Sequence, residues 1–206
     1  MNDAREELAR AERLRAAFNP DATRHIRLMQ LDDDGDKTVV TRLQGPSLHN
    51  YRTHLDDASR GGTGALGVSP TFDTVAPGRA PRFLAAFAAV DLDDTIPERV
   101  RPVVEALAAR GVALYLSRGT SGRGTHAYAL FEQAVPCSVA AAFVRNIARS
   151  FADAGHRVDK TFPSTATGVG ASILLPYRAA GIDGVGANRC SSPATSVPFP
   201  SMHSGT

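Results

Sequence analysis

Asp91 and Asp93 stand two positions apart at the end of an apolar run, Phe83 to Leu92. Side chains two apart in a strand leave the same side of the pleat, so the two carboxylates share one side. Like charges at that spacing repel, and a hard divalent cation with oxygen ligands relieves the repulsion, which makes Mg²⁺ or Mn²⁺ the natural guest. A strand-to-helix turn with capping aspartates explains the same pair without a metal. Further along, Ser117 to His126 reads SRGTSGRGTH, with three glycines, two arginines and a histidine at the start of an apolar strand. Backbone amides, hydroxyls and guanidinium groups in such a loop suit a triphosphate, with His126 as a candidate donor to a phosphate oxygen. A lone histidine is more often structural. Asp159, followed by Lys160, Thr161, Phe162 and Pro163, is a candidate third carboxylate for the same metals. Taken alone, it reads as an ordinary surface aspartate.

The elements that position these residues follow from periodicity and breakers. Ala4 to Phe18 has a helical pattern ended by Asn19 and Pro20. Ile26 to Leu31 and Thr38 to Leu43 read as a hairpin around the acidic turn Asp32 to Asp36, which lacks the rest of a calcium-binding loop. Ser47 caps a short helix through Leu55, and Gly61, Gly62 and Gly64 lead into the apolar Ala65 to Val68 without the lysine and threonine of a Walker loop. Then come a buried-type strand, Phe83 to Leu92, and a helix from Pro97 to Arg110 ended by Gly111. Strands at Val112 to Ser117 and Thr125 to Phe131, a helix over Ser138 to Ala154 and a last strand at Ala171 to Leu175 complete the order. Strand, helix, strand, strand, helix, strand is the split ferredoxin-like arrangement. Beyond Gly181 the chain fills with Gly, Ser and Pro.

The whole chain narrows the class. Its 206 residues, 43% apolar and 21% charged, suit one soluble globular core. The longest apolar stretch, Phe83 to Val90, is far short of the roughly 20 residues of a membrane span, and the N-terminus is charged. The expectation is a cytoplasmic protein with no membrane partner. Cys137 and Cys190 are too far apart for a zinc ribbon or a disulfide framework. A net charge of +2 neither demands nor excludes a polyanionic partner.

Three motifs in order resemble those of the archaeo-eukaryotic primase superfamily, especially its bacterial and phage primase-polymerase branch. VDLDD looks like the strand ending in DxD, with Asp91 and Asp93 as its acids. SGRGTHAYALF looks like the small residue, any residue and histidine motif at Gly124, Thr125 and His126. VDKTFPS and GVGASILLPYR look like the acidic residue before FP and the Gly-rich lead into a strand ending LP. The likeness runs from about Ala65 to Arg178; it departs at Gly124, where many members have serine, and at Gly170-Ala171, where Gly-Asn is usual.

The resemblance implies a DNA primase or primase-polymerase, a nucleotidyltransferase of DNA replication. Asp91, Asp93 and Asp159 would bind catalytic Mg²⁺ or Mn²⁺, and His126 would contact the phosphates of the incoming nucleotide, with Ser121, Arg123 and Arg178 in the same pocket. The implied partners are a single-stranded DNA template, nucleoside triphosphates and a replication helicase. The expected fold is α+β: a primase-polymerase core with a split ferredoxin-like (RRM-like) β-sheet and an N-terminal α/β extension. Residues 1–62 form the extension, 63–181 the catalytic core and 182–206 an irregular tail.

Two rivals use the same residues. VDLDDT also resembles the nucleophile motif of haloacid dehalogenase-type phosphatases, where Asp91 would attack phosphorus, Asp93 would serve as acid and base, and Ser117 would fit the second motif. That reading requires a doubly wound parallel sheet. The other rival is a non-catalytic or truncated primase-like nucleic-acid-binding module.

Overall fold

Side chains alternate along one long strand between two apolar layers. The computed structural model describes residues 2–18, 26–31, 37–42, 46–56, 64–74, 80, 82–119, 123–167 and 171–176. In β5 (Arg82–Leu92), Ala88, Val90 and Leu92 point into one apolar cluster, whereas Phe87 and Ala89 point into another. A strand buried on both faces needs cover on both, and each cover comes from a different part of the chain.

The first cover is a pair of helices. α3 (Pro97–Ala108) starts with proline in its first turn, and Gly111, at φ 82°, supplies the left-handed residue that turns the chain after it. α4 (Cys137–Asp153) buries Ala140, Ala141, Val144, Ile147, Ala148 and Phe151 at helical spacing. Both helices cover the Val90 face of a sheet built from β5, β4 (Thr71–Thr74), β6 (Tyr115–Arg118), β7 (Thr125–Pro136) and β8 (Val158–Phe162). The path is β4-β5-β7-β6, and β8 pairs with β5 beside β4.

The order β5, α3, β6, β7, α4, β8 with lateral order β8-β5-β7-β6 is the split ferredoxin-like topology. Its fourth strand is Val158–Phe162, which the sequence pattern leaves between elements. The expected last strand, Ala171 to Leu175, is instead the two-residue β9 (Ile173–Leu174) in a different sheet. The physical reason is length: the turn after α4 returns the chain directly to the open side of β5, long before residue 171. Every strand pair among the described residues is antiparallel, so the parallel sheet required by the phosphatase reading is not formed.

The second cover comes from both ends of the described chain. A second sheet has the order β2-β1-β3-β9, with β1 (Ile26–Leu31), β2 (Lys37–Arg42) and β3 (Gly64–Val68). The expected division between residues 62 and 63 runs through this sheet, which takes two strands from each side of it. α1 (Asn2–Ala17) packs against α2 (Leu48–Asp56), whose start is closed by a reciprocal cap: Ser47 N–H donates to Asn50 Oδ1 at 2.9 Å and Asn50 N–H to Ser47 Oγ at 3.4 Å. Phe18 then meets Phe87 and Tyr128 edge-on, each at 5.3 Å between ring centroids. No helix among the described residues is long and apolar enough to cross a membrane.

His54, buried on α2, ties this layer to β3 and to the chain just after β9. Its Nδ1 accepts from Leu66 N–H at 3.1 Å, which leaves the ring proton on Nε2 to donate to Pro176 O at 2.9 Å. Both ring nitrogens are thus committed to structure. His54→Ala strands a buried amide and a buried carbonyl, and it should lower unfolding free energy by about 2–4 kcal/mol in urea titrations; a loss below about 0.5 kcal/mol would show that water replaces both bonds.

Candidate active site

The apolar layer behind Phe87 and Ala89 ends in charge. Continuing the alternation of β5 by two residues brings Asp91 to the same side as Ala89. Antiparallel pairing gives Asp91 two cross-strand partners, His126 on β7 and Lys160 on β8. Cross-strand partners share a face, so imidazole, carboxylate and ammonium stand in a row across three strands. The row is closed on the far side by Ser117, the β6 partner of His126.

Asp159 owes its position to an irregularity. Asp91 pairs with Lys160 and Leu92 with Val158, which leaves Asp159 as the extra residue of a β-bulge. A bulge bends the strand and re-aims the side chain it carries. Here the Asp159 carboxylate accepts a hydrogen bond from Lys160 Nζ at 2.8 Å. That bond and the Asp159 charge raise the Lys160 pKa above its ordinary value, and the more distant charges of Asp91 and Asp93 add to the shift. The Lys160 ammonium therefore lies in the combined field of all three aspartates.

Asp93 begins the turn after β5. Its backbone N–H donates to Arg157 O at 3.1 Å, and its carboxylate faces Arg157 Nη2 at 3.8 Å. The same guanidinium reaches Asp94 at 3.7 Å. With 70% of the Arg157 side chain exposed, these pairs orient more than they stabilise. Asp94 has φ 51°, a left-handed conformation that aspartate tolerates better than most residues. Thr95 Oγ1 donates to Asp93 O at 3.0 Å, and Thr125 Oγ1 in turn donates to Thr95 O, so the turn is stitched to the first residue of β7.

The loop before His126 approaches the same turn. Gly119 N–H donates to Gly124 O at 2.8 Å and closes the loop at its base. A Cβ on Gly124 would lie 3.0 Å from Leu92 O, tighter than ordinary contact, so a larger residue there would have to push this loop and the end of β5 apart by a few tenths of an ångström. Arg123 lines an open cleft of about 290 Å³ with Asp94, Ile96 and Arg99. Ser121 and Arg178 lie outside the described residues.

Among the sequence candidates, Asp91, Asp93, Asp159 and His126 thus come to one end of one sheet, and Arg123 lines the cleft beside Asp94. Lys160, Arg157 and Tyr128 were not among them. Lys160 and Tyr128 each lie one or two positions from a chosen residue in a strand, so strand alternation was the available signal for Tyr128; the long-range contacts of Lys160 and Arg157 had none. Among the described residues no three His, Cys, Asp or Glu side chains are gathered closely enough to hold a metal ion. Asp91 is turned to His126, Asp93 to Arg157 and Asp159 to Lys160. The carboxylate oxygens are nevertheless the ligand type that a hard divalent cation takes.

Residues 82–183 match the family described as the archaeo-eukaryotic primase domain of the TOTE conflict system. The fold is similar to that of the polymerase domain of Ligase D from Mycobacterium tuberculosis, solved in complex with DNA. The TM-score is 0.56 at 14% identity, over 91% of this chain and 79% of that one. No curated protein sequence matches the chain.

His126 is the buried member of the site. Its Nε2 lies 3.4 Å from Asp91 Oδ1, its Nδ1 3.0 Å from the Tyr128 hydroxyl, and its ring meets that of Tyr128 edge-on at 6.0 Å. Burial disfavours the imidazolium and lowers the pKa from 6.5 to about 4. The unfolded chain then binds a proton that the native state refuses, so stability falls as pH drops from about 6.5 toward about 4. Urea titrations at pH 7 and pH 4 should show a loss of about 3 kcal/mol that is absent in His126→Gln. Equal losses in the two proteins would mean that the ring titrates near its ordinary value.

Proposed function

Since this chain belongs, through residues 82–183, to the archaeo-eukaryotic primase superfamily, we propose that it is a nucleotidyltransferase, a primase-polymerase catalytic domain that joins nucleotides on a single-stranded DNA template. The observation that carries the reading is the convergence of three separate sequence motifs on Asp91. Its cross-strand partners are His126 from the second motif and Lys160, neighbour of Asp159, from the third.

Asp91, Asp93 and Asp159 are the residues that would hold Mg²⁺ or Mn²⁺. Bound there, the metal supplies activation of the attacking 3′-hydroxyl and neutralisation of charge on the triphosphate and its pyrophosphate leaving group. The protein's own part is mainly positioning. His126 stands beside the incoming phosphates, with Nε2 as the ring atom on the Asp91 side. Arg123, in its cleft with Arg99, offers guanidinium donors to phosphate, and Ser121 and Arg178 belong to the same proposed pocket. Lys160 and Arg157 hold the carboxylates apart from one another until a stronger cation competes for them. Contact with the template through arginines along the cleft weakens as salt rises. The ion pairs of Asp93 with Arg157 and of Asp159 with Lys160 are what favours a second reading, a nucleic-acid-binding module without catalysis.

Incorporation of labelled nucleotides on single-stranded DNA with Mn²⁺ or Mg²⁺, with and without a primer, tests the proposal. Template-dependent products are expected, and products without primer would add priming. DNA binding with no incorporation would support the binding module. Asp91→Asn and Asp93→Asn should each lower incorporation by about 100-fold or more, the scale of losing a group that stabilises transition-state charge. Full activity in the purified, folded variants would remove both residues from the mechanism.

A further inference from the structure

The neighbour of His126 away from Asp91 is a hydroxyl with a single proton. Tyr128 Oη also lies against the carbonyl oxygen of Leu174, and a carbonyl can only accept, so the tyrosine proton goes there. At the imidazole, 3.0 Å away, the hydroxyl oxygen is left as an acceptor, and Nδ1 must carry the ring proton. A neutral imidazole has one N–H. Nε2 therefore keeps a lone pair and presents it beside Asp91 Oδ1 at 3.4 Å. Two electron-pair donors facing each other do not bind one another; they bind what comes between them.

Both ends of this relay are fixed by contacts with other elements of the fold. Tyr128 is fully buried, its ring held edge-on by Phe18 at 5.3 Å and packed on Phe87 at 6.4 Å. Leu174 belongs to β9, at the edge of the other sheet. Leu175 N–H donates to Leu66 O at 2.9 Å, and the alternation of an antiparallel ladder then turns the Leu174 carbonyl away from β3. The hydroxyl of Tyr128 is where that carbonyl finds its partner.

We infer that Tyr128 is a positioning residue of the site: its hydroxyl, itself held by the Leu174 carbonyl, locks His126 in the Nδ1–H tautomer and turns the Nε2 lone pair toward Asp91, where both would face the divalent cation that accompanies a triphosphate. The last part rests on the function proposed above. The second sheet thereby acts on the site through one hydrogen-bonded chain, Leu174 to Tyr128 to His126, without touching the nucleotide.

Two readouts test this. In ¹⁵N-histidine-labelled protein at neutral pH, imidazole correlation spectra assigned with His126→Gln should show His126 protonated at Nδ1. Tyr128→Phe keeps the ring in the core and removes the oxygen, and it should move His126 to the Nε2–H tautomer or to a mixture. Triphosphate binding in the presence of Mn²⁺ should weaken about tenfold in Tyr128→Phe, the usual scale for a group that orients a ligand-contacting histidine, and the effect should vanish in a His126→Ala background. A wild-type ring protonated at Nε2 overturns the inference, and this needs no variant to fold. So does an unchanged tautomer in Tyr128→Phe, or a changed tautomer with triphosphate binding unaltered. If the wild-type protein binds no triphosphate, the proposed function fails while the tautomer still decides on the relay.

Discussion

The site depends on the register of one strand. β5 has β7 on one side and β8 on the other at Asp91, so the carboxylate is placed between imidazole and ammonium by backbone pairing rather than by side-chain choice. A slip of one residue would turn Asp91 into the layer of Val90, Leu92 and the helices, where a charge has no partner, and would expose Val90 in its place. The apolar alternation of β5 is therefore what keeps the chemistry-bearing end in line, and the two hydrophobic layers are as much a part of the site as its polar groups.

Those layers differ in origin. The helical layer is built by the βαββαβ unit itself, from α3 and α4. The opposite layer is assembled from α1, α2 and a second sheet whose strands come from both ends of the described chain. The Asp91 side of β5 faces this second layer, so segments distant in sequence set the walls of the site. Phe18 at the end of α1 holds Tyr128, His54 on α2 holds the chain at Leu66 and Pro176, and β9 brings the Leu174 carbonyl to the Tyr128 hydroxyl.

Electrostatics completes the arrangement. Three carboxylates at one sheet end would repel each other in the absence of counter-charge. Asp159 and Asp93 have exposed cationic partners, Lys160 and Arg157, which are held loosely and are replaceable. Asp91 has a buried imidazole whose neutral form is favoured by its surroundings. That carboxylate stands in the middle of the row, where the three motifs meet.

Much of this is legible in the sequence, and for identifiable reasons. The apolar run before Asp91 and the helical periods over 97–110 and 138–154 are local patterns, and local patterns report which residues form strands and helices. They also single out Asp91, Asp93 and His126 as candidates, since each lies at or next to the end of a strand. What the sequence misplaces is pairing. Val158 to Phe162 has too mixed an alternation to stand out as a strand, yet β5 has an open side and takes it. Ala171 to Leu175 looks like its natural fourth strand but pairs with β3 instead. The bulge that re-aims Asp159, the ammonium set among three aspartates and the hydroxyl that orients His126 arise only from contacts between residues remote in the chain. Such contacts depend on which strand edge is free when each segment arrives, a property of the folded whole that no window of sequence contains.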